Sequence, residues 1–178
     1  MGIPTLISTA TASNAASVAI TSGIDSTYDE YMFVLTDMGP ATDGANASFQ
    51  GSIDSGSNYN VAMTTTQFRA NHMEDDSAAT LAYSTSSDQA QGTAYQFLSL
   101  DMANHADASW VGILHLFNPS NTTYIKHFYA TVQGMRRDSS TVHNFVAGYF
   151  NTTSAIDAFS FKMSSGNLDG VIQMYGIA

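Results

Sequence analysis

The feature that most constrains this chain is a two-residue alternation of apolar and polar side chains, which recurs along most of its length. The clearest case is residues 157–163, where Phe159, Phe161 and Met163 alternate with small or polar residues. A period of two places successive side chains on opposite faces of a strand. The pattern predicts a strand with its phenylalanines in a core and the intervening residues in solvent. No stretch has a convincing helical period.

Similar runs are separated by short clusters of Gly, Asn, Asp, Ser and Pro, which are suited to turns. The predicted strands are 17–20, 30–37, 47–54, 59–69, 95–101, 109–117, 124–135, 144–150, 157–163 and 171–177. About ten or eleven strands favour one all-β domain over residues 1–178, an antiparallel two-sheet sandwich that is jelly-roll-like. A closed barrel is the alternative. Residues 1–16 are open to interpretation as an extended N-terminal arm, and residues 71–92 are expected to form a polar surface excursion.

Charge and composition exclude several classes of function. The formal net charge is −10, and charged residues make up only 11% of the chain. A phosphate backbone would be repelled, so the chain is not expected to bind nucleic acid. The absence of cysteine excludes disulfides, thiolate metal sites and cysteine nucleophiles. No segment resembles a secretory signal or a membrane span, so we expect a soluble chain that is made in the cytoplasm and does not insert into membranes.

The sequence contains none of the short motifs that mark common catalytic or cofactor sites. It has no Gly-x-Ser-x-Gly elbow, no His-Glu-x-x-His pair, no phosphate-binding P-loop and no dinucleotide-binding glycine pattern. Its many serines and aspartates, with five histidines, are compatible with a catalytic triad but diagnostic of none. The chain is therefore predicted not to be an enzyme and to use no cofactor.

Two histidines form a weak candidate for a metal site. A hairpin folded about Asn121 would place His115 directly opposite His127, with Cβ atoms about 4.5 to 5.5 Å apart. Such a pair could share a metal ion or respond to protonation. The alternative is an ordinary cross-strand pair beside Tyr129 and Ile113, which is favoured because spacing identifies no third ligand.

Two acidic clusters are candidates for calcium, which prefers oxygen ligands. They are Asp25–Glu30, containing Asp25, Asp29 and Glu30, and Glu74–Asp76. Neither has the spacing of a known calcium loop. Contiguous acidic residues more often form solvated loops, and that interpretation is favoured here.

Exposed aromatic residues would be needed for carbohydrate binding. The candidate platforms are Trp110, Tyr59, Tyr83 and Tyr95. Trp110 shares its strand face with Gly112 and leucines, which is the spacing of a core position. Tyrosines that border strands usually pack their rings and leave only the hydroxyl in water. A structural role is favoured for all four.

Several long segments of the sequence resemble a recurrent β-rich protein of marine tailed bacteriophages. These segments are Ser22–Asp37 with Pro40–Asp43, Asp88–Gln96, Leu114–Tyr129, Gly148–Asp157, Phe161–Asn167 and the terminal Tyr175–Ile177. The resemblance covers most of the chain. It implies a virion structural component, occurring alone or as a module of longer fibre proteins, and it carries over no catalytic residues.

The expected function is therefore that of a non-enzymatic structural protein of a tailed-phage virion, in capsid decoration or in a tail fibre or other appendage. Such a protein would self-associate, most often as a homotrimer, and attach to capsid or tail proteins after assembly in the bacterial host cytoplasm. The alternative is a fibre module that binds a host-surface glycan. The third hypothesis is a glycan-degrading enzyme, which would need two carboxylates across one cleft.

Overall fold

The computed structural model describes residues 2–178, which form thirteen β-strands and no helix. The strands are β1 (Thr5–Ala15), β2 (Val18–Ile20), β3 (Glu30–Pro40), β4 (Ala45–Ser52), β5 (Met63–Met73), β6 (Ala79–Tyr83), β7 (Ala90–Gly92), β8 (Gln96–Met102), β9 (Trp110–Phe117), β10 (Lys126–Met135), β11 (Ser140–Phe150), β12 (Ala158–Met163) and β13 (Leu168–Ile177). None of the described residues therefore belongs to a helix able to cross a membrane.

The strands form two antiparallel sheets of unequal size, which confirms the predicted all-β sandwich. The larger sheet has the order β1-β13-β3-β9-β10-β11-β5-β6, with β7 also paired to β5. The smaller sheet has the order β2-β12-β4-β8. The split is therefore nine strands to four.

Phenylalanine rings from both sheets fill the core between them. Phe128 and Phe150 come from the larger sheet, and Phe49 and Phe159 from the smaller one. The Phe49 ring meets Phe128 edge-on at a centroid distance of 5.2 Å, and Phe150 meets Phe159 in the same way at 5.9 Å. Aromatic pairs in these geometries add to the stability that comes from burial alone.

Strand β12 is buried on both faces, which corrects the expectation that one face meets solvent. Ala158 and Ser160 are as inaccessible as Phe159 and Phe161 beside them. Strand β12 lies between β2 and β4, and short side chains in a central strand are shielded by their neighbours. Only Lys162 remains partly accessible, with its ammonium 4.1 Å from the centre of the Tyr95 ring.

The structure has three strands that the sequence did not predict, and all three lie at the margin of the larger sheet. Residues 5–15, considered above as part of an arm, form β1 and pair with β13; Met1 lies outside the described residues. Residues 71–92 were expected to be an excursion, but β5 continues to Met73 and is followed by β6 and β7. Edge strands of this kind are open to solvent, so their sequences lack the regular apolar alternation of central strands.

The unequal widths of the two sheets determine which surface stays open. The inner face of the larger sheet packs on the smaller sheet. Its outer face carries side chains that are half-buried or exposed along β3, β9, β10, β11 and β5. This outer surface is where the candidate site lies.

Candidate functional site

The candidate site is the outer surface of five adjacent strands of the larger sheet, which we call the open face. It consists of every second residue of Glu30–Thr36, Val111–Phe117, His127–Gln133, Thr141–Tyr149 and Thr64–His72. The register of each neighbouring pair of strands aligns these residues in rows across the sheet. One such row runs from Val34 through Ile113, Thr131 and Phe145 to Phe68.

The open face is apolar although it meets solvent. Four of its large side chains are more than a third exposed: Val111 (41%), Ile113 (38%), Phe68 (42%) and Tyr129 (45%). On the flanking strands β1 and β6, the exposed residues Leu6, Leu81 and Tyr83 extend the same rows. Contiguous apolar surface of this kind is uncommon on isolated soluble domains and marks sites of interaction.

Glu30 is the only Asp, Glu, Lys or Arg side chain among the residues that define the open face. Its carboxylate is hydrogen-bonded to Nδ1 of His115. Four of the five histidines of the chain, at positions 72, 115, 127 and 143, lie on this face. The face therefore carries little charge in a protein whose net charge is −10.

The aromatic and histidine rings of the open face stack on one another. The His115 ring stacks on Tyr129 with centroids 4.7 Å apart, and Tyr129 also contacts Phe117 at 5.6 Å. On the other side of the face, Phe68 and Phe145 stack at 4.7 Å with their planes only 10° apart. Rings that stack across strands are held in place by their neighbours, so the positions of these side chains on the open face are well defined.

The predicted pairing of His115 with His127 is wrong by two residues. Strand β9 pairs with β10 so that His115 lies opposite Tyr129, and the ring of His127 instead packs against Tyr149 at 5.8 Å. The turn is not symmetric about Asn121, because the Asn121 side-chain oxygen accepts hydrogen bonds from the backbone N–H groups of Thr123 and Tyr124. Both histidines belong to the open face, but they are not directly opposed.

Four shallow depressions lie between the side chains of the open face. The largest has a volume of about 420 Å³ and is bordered by His127, Tyr129 and Tyr149, with Ala147 and Gly148 among its lining residues. The small side chain of Ala147 leaves room between the larger rings. A depression of this shape fits an apolar side chain better than it fits an extended polar ligand, since its polar side-chain groups are limited to threonine and tyrosine hydroxyls and one imidazole.

In neither acidic cluster do the carboxylates converge on one point. In the first, Oδ1 of Asp25 accepts hydrogen bonds from the Thr27 N–H at 2.8 Å and the Tyr31 hydroxyl at 2.9 Å, whereas Glu30 is turned to His115. The hydrogen bonds from Thr27 and Tyr31 lower the pKa of Asp25 below its ordinary value of 3.8.

In the second cluster, Asp75 accepts a hydrogen bond from the Ser77 N–H, and Asp76 contacts His72. The Ser77 hydrogen bonds lower the pKa of Asp75. Within residues 2–178, no group of three or more His, Asp or Glu side chains is arranged to hold a metal ion.

The four aromatic candidates for sugar binding are scattered. Trp110 faces the core and is 3% exposed, as its spacing predicted. Tyr95 lies under Lys162, and Tyr59 is half-buried. Only Tyr83 is largely exposed; it extends the Phe68 row, and its hydroxyl donates a hydrogen bond to Asp88 at 2.8 Å.

Sequence reasoning missed the open face as a unit. The signal was present in β9, where Val111, Ile113 and Phe117 alternate with residues that are also apolar. A strand that is apolar on both faces is ordinarily interpreted as central and covered on both sides. Here the strand is central in its sheet, but only one of its faces is covered.

Comparisons with known proteins give no family for this chain. No family model matches it, and no curated protein matches it. A crystal structure at 2.40 Å of a protein of unknown function from Bacteroides ovatus aligns with 5% identity and a TM-score of 0.31, covering 58% of this chain. The alignment covers 45% of that protein, so the chain matches less than half of its length.

An aerolysin-like protein from Bombina maxima aligns with 9% identity over 93% of this chain and 91% of its own, with a TM-score of 0.14. Both scores are too low for either likeness to carry an argument about fold or function.

Proposed function

We propose that this protein is a non-enzymatic structural component of a tailed-phage virion, either a capsid decoration protein or a part of a tail fibre or other appendage. It self-associates, with a homotrimer as the expected assembly, and attaches to coat or tail proteins. The observation that carries the proposal is the open face, a broad apolar surface with almost no charge. A structural subunit needs such a surface, because assembly buries a large area against its neighbours.

The resemblance described above supports the proposal at the residues of the open face. The segment Leu114–Tyr129 contains His115, Phe117 and Tyr129, and these are the side chains whose rings stack across β9 and β10. The likeness to marine phage proteins therefore includes the part of the surface that would make contacts.

The distribution of basic residues also suits a protein on the outside of a particle. The chain has five Lys and Arg residues, which limits cleavage by trypsin-like proteases. Lys126 is fully buried, and Arg136 is largely enclosed by hydrogen bonds to Asp101 and Asp138. Few sites remain at which such a protease can bind an extended backbone.

The test is to locate the protein in purified particles of the phage that encodes it. Peptides of the chain should be present in the particles after density-gradient purification, and cryo-electron microscopy should resolve the sandwich on capsomers, at vertices or on the tail. Absence of the peptides from particles whose capsid and tail proteins are all detected would overturn the proposal. So would turnover of a polysaccharide by the purified protein.

The alternative is a fibre module that binds a host-surface glycan, and the largest depression favours it because Tyr129 and Tyr149 border it. Aromatic rings at such a rim can stack on a sugar. The lining residues supply no carboxylate, amide or guanidinium group for sugar hydroxyls. A glycan array should separate the two functions: specific hits that disappear in Tyr129→Ala favour the glycan module, and an array without hits favours the structural protein.

A further inference from the structure

We propose that the open face is the surface through which this protein binds a second copy of itself. The inference rests on the proposed function, because it assigns the self-association of that function to one side of the sandwich. The edges of the two sheets are the other surfaces that a copy could use, since the central strands β4 and β12 of the smaller sheet are buried on both faces.

Charge favours a second copy as the partner. Each chain carries a net charge of −10, so two copies repel one another wherever acidic residues approach. The open face carries Glu30 alone, hydrogen-bonded to His115. A partner drawn to this protein by its negative charge would bind its acidic loops, whereas the neutral face is where a like-charged copy can approach closely.

The size of the surface is sufficient for a stable contact. The five strands of the open face, together with the flanking strands β1, β13 and β6, make up eight strands. At about 4.8 Å apart these span roughly 34 Å, and seven residues at about 3.4 Å each span roughly 24 Å, giving on the order of 800 Å². A standard interface buries about 800 Å² on each partner. The larger sheet has eight strands in its hydrogen-bonded order, so its outer surface meets this requirement.

The shape of the open face suits packing against another sheet. Two sheets pack face to face with side chains interdigitated and their backbones about 10 Å apart. The depression at Ala147 is large enough for a ring or an aliphatic side chain, and exposed side chains such as Ile113 and Tyr129 supply such groups from the second copy. The face therefore holds both the projections and the depressions that a copy of itself needs.

The test compares the assembly state of the wild type with that of two lysine variants by analytical ultracentrifugation and native mass spectrometry. Ile113→Lys places an ammonium at the centre of the open face, where Ile113 pairs with Val34 on one side and Thr131 on the other. Ala19→Lys is the matched control, because Ala19 is an exposed strand residue on β2 of the smaller sheet. Both variants make the same change in net charge.

We expect the wild type to be an oligomer, Ile113→Lys to weaken association at least about 30-fold, and Ala19→Lys to associate like the wild type. The mass gives the copy number: two if the same faces meet, three if each open face meets a neighbour's flank about a threefold axis. Circular dichroism must give the same β spectrum for all three proteins. If Ile113→Lys does not fold, Ile113→Thr, which keeps the β-branched shape, is expected to weaken association to a smaller extent.

Two results would overturn the inference. One is a wild-type oligomer that neither substitution at Ile113 weakens, which would assign self-association to another surface. The other is a wild type that stays monomeric at the highest soluble concentration. Detection of the chain in purified particles is independent of both results, so the proposed function and this inference can fail separately.

Discussion

The ring of Phe33 on β3 stacks on the ring of Phe159 on β12, with centroids 4.9 Å apart and planes at 23°. These two residues come from different sheets, and both are completely buried. The stack therefore joins the two layers of the sandwich at the centre of the core. Phe159 also contacts Phe49, Phe150 and Phe161, so within residues 2–178 it is the ring with the most aromatic neighbours.

Replacing Phe159 by alanine is expected to lower the free energy of unfolding by about 3 to 5 kcal/mol, because it removes a fully buried ring and leaves a cavity. Urea denaturation followed by tryptophan fluorescence measures the change, since the single Trp110 lies in the core. Tyr124→Ala is the control: Tyr124 is exposed, and its removal should change stability by less than about 0.5 kcal/mol. Equal effects of the two substitutions would contradict the assignment of the core.

Gln96 is the centre of a buried polar network, and its replacement by leucine should destabilise the protein although leucine is apolar. Its Oε1 accepts a hydrogen bond from the Thr65 hydroxyl at 2.7 Å, and its Nε2 donates to the backbone oxygen of Ser87 at 2.9 Å. Gln96→Leu leaves both groups without this partner, at a cost of about 1 to 3 kcal/mol for each.

The same denaturation experiment measures the effect of Gln96→Leu. Gln91→Leu is the control, because Gln91 is an exposed residue of β7 outside the open face. A Gln96→Leu protein as stable as the wild type would indicate that the network contributes nothing beyond the volume of its side chains.

Lys126 is fully buried, and its ammonium donates hydrogen bonds to the backbone oxygens of Tyr124 at 3.1 Å and Thr152 at 3.4 Å. Burial lowers the pKa of Lys126 below its ordinary value of 10.5. The unfolded chain therefore binds this proton more tightly than the folded protein does. As pH rises through the folded pKa towards 10.5, the contribution of Lys126 to the free energy of unfolding should increase.

The measurement for Lys126 is the difference in stability between the wild type and Lys126→Met across the alkaline range. The difference is needed because burial raises the pKa of Tyr31 above 10.0, which makes the fold lose stability at high pH in both proteins alike. We expect the free energy of unfolding of the wild type to increase relative to that of Lys126→Met as pH rises. A difference that stays constant with pH would contradict a lowered pKa for Lys126.

Asp25 should contribute a stabilisation that is lost in acid. The hydrogen bonds from Thr27 and Tyr31 lower its pKa below 3.8, so the folded protein holds the ionised form more strongly than the unfolded chain does. The contribution is complete above the unfolded pKa and is lost as pH falls through the folded pKa. Asp25→Asn keeps an oxygen that can accept the same hydrogen bonds but removes the charge.

Thermal melting of wild type and Asp25→Asn between about pH 5 and about pH 2 tests this prediction. The wild type should lose more stability over that range than the variant. The melting temperatures of the two proteins should therefore converge as the pH falls. Parallel curves would indicate that Asp25 titrates in the folded protein as it does in the unfolded chain.

The alternation of side chains in the sequence was sufficient to predict the ten strands that lie inside the sheets or carry an apolar face. Phe159, Phe161 and Trp110 are buried as their spacing indicates. Strands β1, β6 and β7 were not predicted, because edge strands need no covered apolar face and, apart from Leu6, Ile7, Leu81 and Tyr83, their residues are small or polar. Local sequence therefore predicts strands best where burial imposes a pattern.

The sequence alone determined that the chain forms antiparallel strands, that residues such as Phe159, Phe161 and Trp110 enter the core, and that the surface carries few charges. Only the tertiary structure decided that His115 lies opposite Tyr129, because the register of a hairpin depends on turn hydrogen bonds such as those to Asn121. It also decided which apolar faces are covered. A side chain such as Ile113 has the same local pattern whether a second sheet packs over it or not, and the division into nine and four strands leaves it open.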